Sequence, residues 1–216
     1  MKSFFNLLKT TISKISHWGA KNVISFIYFE LIFFFRFNSR TLFGIQNNEL
    51  DYEIKDDEEF IEYIPTPFFL INKSAKKINL NLTESCLVDF GSGAGRALEF
   101  FINKEVKFCK GIERSYKLTE LARLNLSKYD NVELFHMDAE NYKIDNKDNI
   151  FFLYDPFGIE TIKKVIKNIN YSVKISPREI NIIYVSPRYN EIFKSAFKVI
   201  YEDVNKFNLG VVVFSN

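Results

Sequence analysis

Leu87-Val88-Asp89-Phe90-Gly91-Ser92-Gly93-Ala94-Gly95-Arg96 decides the fold of this chain. An apolar run reaches a carboxylate, glycine then stands at every second position, and an apolar-periodic segment begins. That order predicts a strand, a tight turn and the start of a helix. Glycine accepts positive φ and lets a ligand approach bare backbone. The free N–H groups of a helix start point at whatever lies on the turn. A nucleotide-like ligand suits such a turn. The spacing Gly91-x-Gly93-x-Gly95 differs from the G-x-G-x-x-G of dinucleotide-binding turns, and no Lys-Ser or Lys-Thr pair follows as in a P-loop. A ligand without a pyrophosphate therefore fits better. Asp89, just before the turn, suits a cationic group such as an amino-acid ammonium. Its plainer role is to brace the turn.

Three further acidic residues stand at strand ends. Lys110-Gly111-Ile112-Glu113 closes a second strand, 18 residues past Gly95, where an acid accepts both hydrogen bonds of a ribose diol. Phe135-His136-Met137-Asp138-Ala139 closes a third. There Asp138 suits an exocyclic adenine amine, with Met137 or Ala139 against the ring. Phe151-Phe152-Leu153-Tyr154-Asp155-Pro156-Phe157-Gly158 closes a fourth. It sets a carboxylate and a rigid aromatic corner at the carboxyl edge of a sheet, where open α/β sheets bind ligands. Asp155 or the adjacent carbonyls then orient a nucleophile, and Phe157 walls the site. Each acid has a bland alternative as a solvated loop or turn residue.

Outward from these motifs, strands are expected at 86–90, 107–112, 131–135, 149–154 and 179–185. Helices are expected at 95–104, 115–128, 160–174 and 189–196. This alternation predicts an α/β domain with a mostly parallel sheet. After 135 the gap is too short for a full helix. Two strand-like runs, Phe197–Asp203 and Leu209–Phe214, flank Asn205-Lys206-Phe207-Asn208 and predict a closing antiparallel hairpin. Upstream, Tyr63-Ile64-Pro65-Thr66-Pro67 reads as extended, because residues before proline avoid the helical region. Phe68 to Leu80 reads as helix.

The N-terminal part has another character. Phe4, Leu7, Leu8, Ile12, Ile15 and Trp18 recur at helical spacing. Lys2, Lys9, Lys14 and Lys21 are the only charged side chains before Glu30. A second apolar stretch, Val23 to Phe37, carries Glu30 and Arg36 and is too interrupted to span a membrane. No small-residue cleavage site follows, so a secretory signal is not expected. Residues 1–58 are then a helical extension that either packs on the domain or rests on a membrane surface through residues 1–40. The charged stretch Asp51 to Glu59 marks the boundary, and residues 59–216 form the domain.

Bulk properties narrow the function. At 216 residues and 47% hydrophobic content the chain suits one domain with a real core. With 29 Lys and Arg against 27 Asp and Glu it lacks the general basic footprint of nucleic-acid binders. The wealth of Phe, Lys, Asn and Ile is what an AT-rich genome would encode and carries little functional meaning. Cys86 and Cys109 form no disulfide framework and read as buried thiols in a reducing, cytoplasmic compartment. Two histidines and no zinc spacing make a metal site unexpected.

The four strand-end motifs, in this order, resemble class I S-adenosylmethionine-dependent methyltransferases over about residues 60–216. The resemblance implies a Rossmann-like seven-stranded sheet whose last two strands are the hairpin. It implies that Asp89, Gly91, Ser92, Gly93 and Gly95 hold the methionine part of S-adenosylmethionine, Glu113 the ribose, and Asp138 with Ala139 the adenine. A closer similarity is to a small, largely uncharacterised bacterial group, through Phe43-Gly44-Ile45, Tyr63-Ile64-Pro65-Thr66, Asp89 to Arg96, and Asp155-Pro156-Phe157. It adds Tyr63 and Thr66 to the donor site. Gln46-Asn47 departs from that group's Asp-Thr, and Asp155 from its Asn. The turn and the Tyr-x-Pro element also resemble non-SET lysine methyltransferases. Asp155-Pro156-Phe157 partly resembles the Asp/Asn-Pro-Pro-aromatic motif of amino-methylating enzymes, without the second proline. The resemblance implies methyl transfer from S-adenosylmethionine, with S-adenosylhomocysteine as product and Asp155, Pro156 and Phe157 at the reacting centre. A protein amine or small metabolite is favoured as acceptor. A nucleic-acid base and a non-catalytic binding module are the alternatives.

Overall fold

The computed structural model describes residues 19–37 and 64–216. The helix expected around Phe4 to Trp18, the Phe43-Gly44-Ile45 segment, the charged boundary and Tyr63 lie outside the described residues. Helix α1 spans Gly19–Phe37. Helix α2 spans Phe68–Ala75 and follows Pro67, whose extended backbone leads into it. Strand β1 is Cys86–Phe90, helix α3 Arg96–Ile102, strand β2 Phe108–Glu113, helix α4 Tyr116–Leu126 and strand β3 Val132–His136. Then come β4 Asp148–Tyr154, α5 Ile159–Ile175, β5 Asn181–Val185, α6 Asn190–Ala196, β6 Lys198–Val204 and β7 Gly210–Ser215.

The seven strands lie in the order β3-β2-β1-β4-β5-β7-β6. The first five in the chain pair in parallel, and β7 enters antiparallel between β5 and β6. Every residue of β1 is buried, as suits a central strand covered on both faces. Alternate residues serve opposite layers, because side chains leave a strand with period two. Leu87, Ile150, Phe152, Ile183 and Val185 pack with α1, α2 and α3. Val88, Phe90, Phe151, Leu153 and Ile182 pack with α5 on the other face.

Helices α2 and α3 differ from expectation for visible reasons. Helix α2 stops at Ala75 instead of continuing to Leu80. The backbone there bends to the sheet, where Asn79 N donates to Asn181 Oδ1 at 3.0 Å and Ile78 and Leu80 pack on the core. Helix α3 begins at Arg96, since Gly95 before it is left-handed at φ 83°. The short connection after β3 holds only a 3-10 turn, Ala139–Asn141. In the closing hairpin, Asn205 Oδ1 accepts from Phe207 N and Leu209 N and fixes the turn.

At the amino edge of the sheet the fully buried Asp148 accepts from Lys110 Nζ (2.7 Å), Tyr142 Oη (3.0 Å), Asp145 N (2.8 Å) and Cys86 Sγ (3.2 Å). This knot ties the starts of β1 and β4 to β2. Burial, then the Asp148 charge, pushes the Cys86 thiol up to about 12. Cys86 and Cys109 are both free and buried. Among the described residues no helix is long and apolar enough to cross a membrane, and no group of acidic, His and Cys side chains is placed to hold a metal.

Candidate functional site

The sheet order reverses between β1 and β4, and the crevice at such a switch point is where open α/β sheets take ligands. Gly91, Gly93 and Gly95 all lie in the left-handed region, at φ 78°, 52° and 83°. Their alternate spacing is therefore a backbone requirement. A Cβ on Gly91 would stand 2.4 Å from Pro156 Cβ, so the glycine turn and the Asp155-Pro156-Phe157 corner are in direct contact. The turn is anchored from behind by Gly91 N and Ser92 N donating to Ile112 O (2.8 and 3.1 Å). Buried Asn125 donates from Nδ2 to Ala94 O at 3.0 Å.

Asp89 pairs across to Gly111, two residues before Glu113, so both acids face the same side of the sheet. Asp89 is 2% exposed. Among the described residues nothing donates a hydrogen bond or sets a cation against its carboxylate. Burial first, and then the Glu113 charge, hold its carboxyl well above the usual carboxylate range. Glu113 is differently placed. Its Oε2 accepts from Gly93 N at 2.9 Å and its Oε1 from Ser115 N at 2.8 Å. Burial raises its carboxyl, and the N–H groups of Ser115, Gly93 and Arg114 oppose that rise. Ser92 Oγ is buried with no hydrogen-bond partner. A Cβ at position 111 would lie 2.8 Å from that hydroxyl, so Gly111 keeps room for it.

Asp138 ends β3 with its carboxylate 3.2 Å from Arg114 Nε, both half-exposed, and Ala139 behind it is buried. Asp155 ends β4 at φ 37° and Ser186 ends neighbouring β5 at φ 50°. Two adjacent strands thus finish in the left-handed region, a strained arrangement that clusters at functional sites. Asp155 Oδ1 accepts from Tyr184 Oη at 3.1 Å, and Oδ2 meets Arg188 Nη2 at 2.8 Å. Burial raises the Asp155 carboxyl, while Arg188 and Tyr184 pull it down. Phe157 sits in the apolar layer beneath, with Val88 and Ile162.

Arg96, the first residue of α3, reaches outward from the glycine turn and is 3% exposed. Its Nε donates to Thr66 O at 2.7 Å, its Nη2 pairs with Glu30 of α1, and its guanidinium lies 3.8 Å from the centre of the Phe68 ring. Glu30 is fully buried. Phe33 of α1 stacks on Phe68 at 4.0 Å and on Phe100 at 5.0 Å. The helix that follows the glycine turn is therefore clamped to α1 and to the Thr66 segment.

A SAM-dependent methyltransferase from Aquifex aeolicus shares this architecture, with a TM-score of 0.51 at 15% identity over 67% of this chain and 87% of that one. The chain has the class I methyltransferase fold. A candidate RNA methyltransferase from Pyrococcus horikoshii also matches, with a TM-score of 0.51 at 14% identity over 71% and 84% of the two chains. The YcgJ protein from Bacillus subtilis matches with a TM-score of 0.46 at 17% identity, over 54% of this chain and half the length of that one. No family model and no curated protein matches the chain.

On the class I methyltransferase fold, β1, β2, β3 and β4 deliver Asp89, Glu113, Asp138 and Asp155 to one edge of the sheet. The structure brings the glycine turn, Asp89, Ser92 and Glu113 together and sets Pro156 against them. Thr66 is buried beside Arg96 through its carbonyl. Three residues were missed or misread in the sequence. Tyr184 looked like a plain strand residue, yet its hydroxyl holds Asp155. Arg188 lies in the loop after β5, outside every motif read from the sequence, yet it pairs with Asp155. Glu30 looked like an interruption of an apolar stretch, yet it neutralises Arg96.

Proposed function

We propose that this chain is an S-adenosylmethionine-dependent methyltransferase that N-methylates an amine of a protein or small metabolite and releases S-adenosylhomocysteine. The observation that carries this reading is Asp89. A buried carboxylate without a partner is costly, and a ligand cation removes the cost. Ser92 Oγ is a second buried polar atom in want of a partner on the same turn. These orphaned groups and the left-handed glycine turn fit a ligand that brings an ammonium to bare backbone.

In this reading Asp89, Gly91, Ser92, Gly93 and Gly95 hold the methionine part, and Glu113 takes the ribose diol with its remaining lone pairs. Asp138 and Ala139 take the adenine edge, and Tyr63 and Thr66 complete the donor site. Bound S-adenosylmethionine supplies a methyl group on a sulfonium, which leaves without needing a proton. The chain's task is then alignment, worth ~7–11 kcal/mol in favourable cases. An amine acceptor must be neutral to attack. Asp155 has about four lone-pair positions, of which Tyr184 and Arg188 occupy two, so it accepts an amine N–H with the others. Pro156 and Phe157 hold that corner rigid against the glycine turn. The motif resemblance to non-SET lysine methyltransferases supports an amine acceptor.

The test is transfer of labelled methyl from S-adenosylmethionine into a host extract that is then split into protein, nucleic acid and small molecules. Label in protein or small amines is the expected result. Label confined to nucleic acid overturns the acceptor, and no label together with no binding of S-adenosylhomocysteine leaves a non-catalytic module without a donor. Full turnover in both Asp155→Ala and Asp155→Asn overturns the role given to Asp155.

A further inference from the structure

We infer that α1 docks this chain on an anionic lipid surface through the face it turns away from the domain. Helix α1 is apolar on two opposite sides. Phe26, Glu30 and Phe33 are buried against the domain. Ile24, Ile27, Tyr28 and Leu31 recur at intervals of three, one and three, which places them within about a 100° arc on the far side. These four side chains are 41% to 69% exposed, although they are large and apolar. An apolar row of this kind on an outward helix face marks an interaction surface.

Charge selects the partner. The first 29 residues carry Lys2, Lys9, Lys14 and Lys21 and no acidic residue. The first acid, Glu30, is turned inward onto Arg96. The outward face of α1 therefore offers an apolar row beside the exposed Lys21 and no carboxylate, the combination that holds a helix in the plane of an anionic bilayer surface. Among the described residues no helix can cross a membrane, so α1 lies on the surface. The inference stands independently of methyl transfer.

The test is flotation of the full chain with vesicles of phosphatidylcholine alone or mixed with phosphatidylglycerol. Flotation is expected on the mixed vesicles at a lipid concentration about tenfold below that needed on the neutral ones. It should weaken as salt rises from about 0.05 to about 0.5 M, because screening shortens the attraction. The double variant Ile27→Ser with Leu31→Ser should lose at least about tenfold in binding while melting like the wild type, since both side chains lie on the exposed face. Three results overturn the inference: no flotation, equal flotation on neutral and mixed vesicles, or a double variant that floats like the wild type. A stripe-dependent dimer in sedimentation equilibrium, with neither form bound to vesicles, overturns it in favour of a second copy.

Discussion

Replacing Glu30 by Ala tests whether α1 is part of the folded unit that carries the glycine turn. Glu30 is fully buried and Arg96 is 3% exposed, so neither charge is screened by water. Among the described residues Glu30 is the carboxylate paired with Arg96, and Thr66 O and the Phe68 ring also contact the guanidinium. Taking one partner from a buried ion pair costs about 3–5 kcal/mol, because the other charge stays buried. A domain of this size loses about 2–4 °C of melting temperature per kcal/mol, so a fall of about 6–20 °C is expected. Urea unfolding should show the same loss in the midpoint. The paired variant Glu30→Leu with Arg96→Met should recover most of it, since apolar replacement of a whole buried pair is often near neutral. A double-mutant cycle then gives the coupling directly. A Glu30→Ala protein within about 1 kcal/mol of the wild type refutes the reasoning, since that is the size of an exposed pair.

Other outcomes follow from the site. Gly91→Ala forces φ 78° on an L-residue and drives its Cβ to 2.4 Å from Pro156 Cβ, so donor binding should be lost and melting lowered by more than the ~1–2 kcal/mol of left-handed strain alone. Asp89 keeps its proton in the free folded protein above the ordinary carboxylate range, whereas the unfolded chain has lost it. Its contribution to stability is thus full below about pH 4 and fades as pH rises through the raised value, and Asp89→Asn should flatten that fall in melting temperature. Binding of a cationic ligand at Asp89 should release a proton, so affinity for S-adenosylhomocysteine should rise with pH over the same window. Calorimetry in buffers of different ionisation enthalpy reads that proton. Thiol labelling should find neither Cys86 nor Cys109 in the native protein and both after denaturation, because both are buried and their thiols are raised.

Much of the architecture was legible because it is local. The glycine spacing announced three left-handed residues, and the strand and helix periods were clean from Cys86 to Phe214. The strand order itself rests on long-range pairing, which periodicity does not encode; the motif resemblance implied the seven-stranded sheet, and the structure gave the order. Side-chain partnerships were illegible for the same reason. Glu30 and Arg96 are 66 residues apart, and Tyr184 and Asp155 are 29 apart. Nothing in either local pattern marks a partner. The sequence could show that Asp89 stands before a glycine turn, but its lack of a partner and its burial beside Glu113 required the fold. Helix α2 ended early because Asn79 was claimed by Asn181, again a contact across the molecule.

The donor site is the centre of the account, and calorimetry with S-adenosylhomocysteine tests it most directly. The wild type should bind with a saturable heat at one equivalent, and Glu113→Ala and Asp89→Asn should each weaken that binding about tenfold or more while remaining folded. A folded wild type that gives no heat and no rise in melting temperature with the ligand, or binding that both variants leave untouched, contradicts the assignment of the glycine turn as the methyl-donor site.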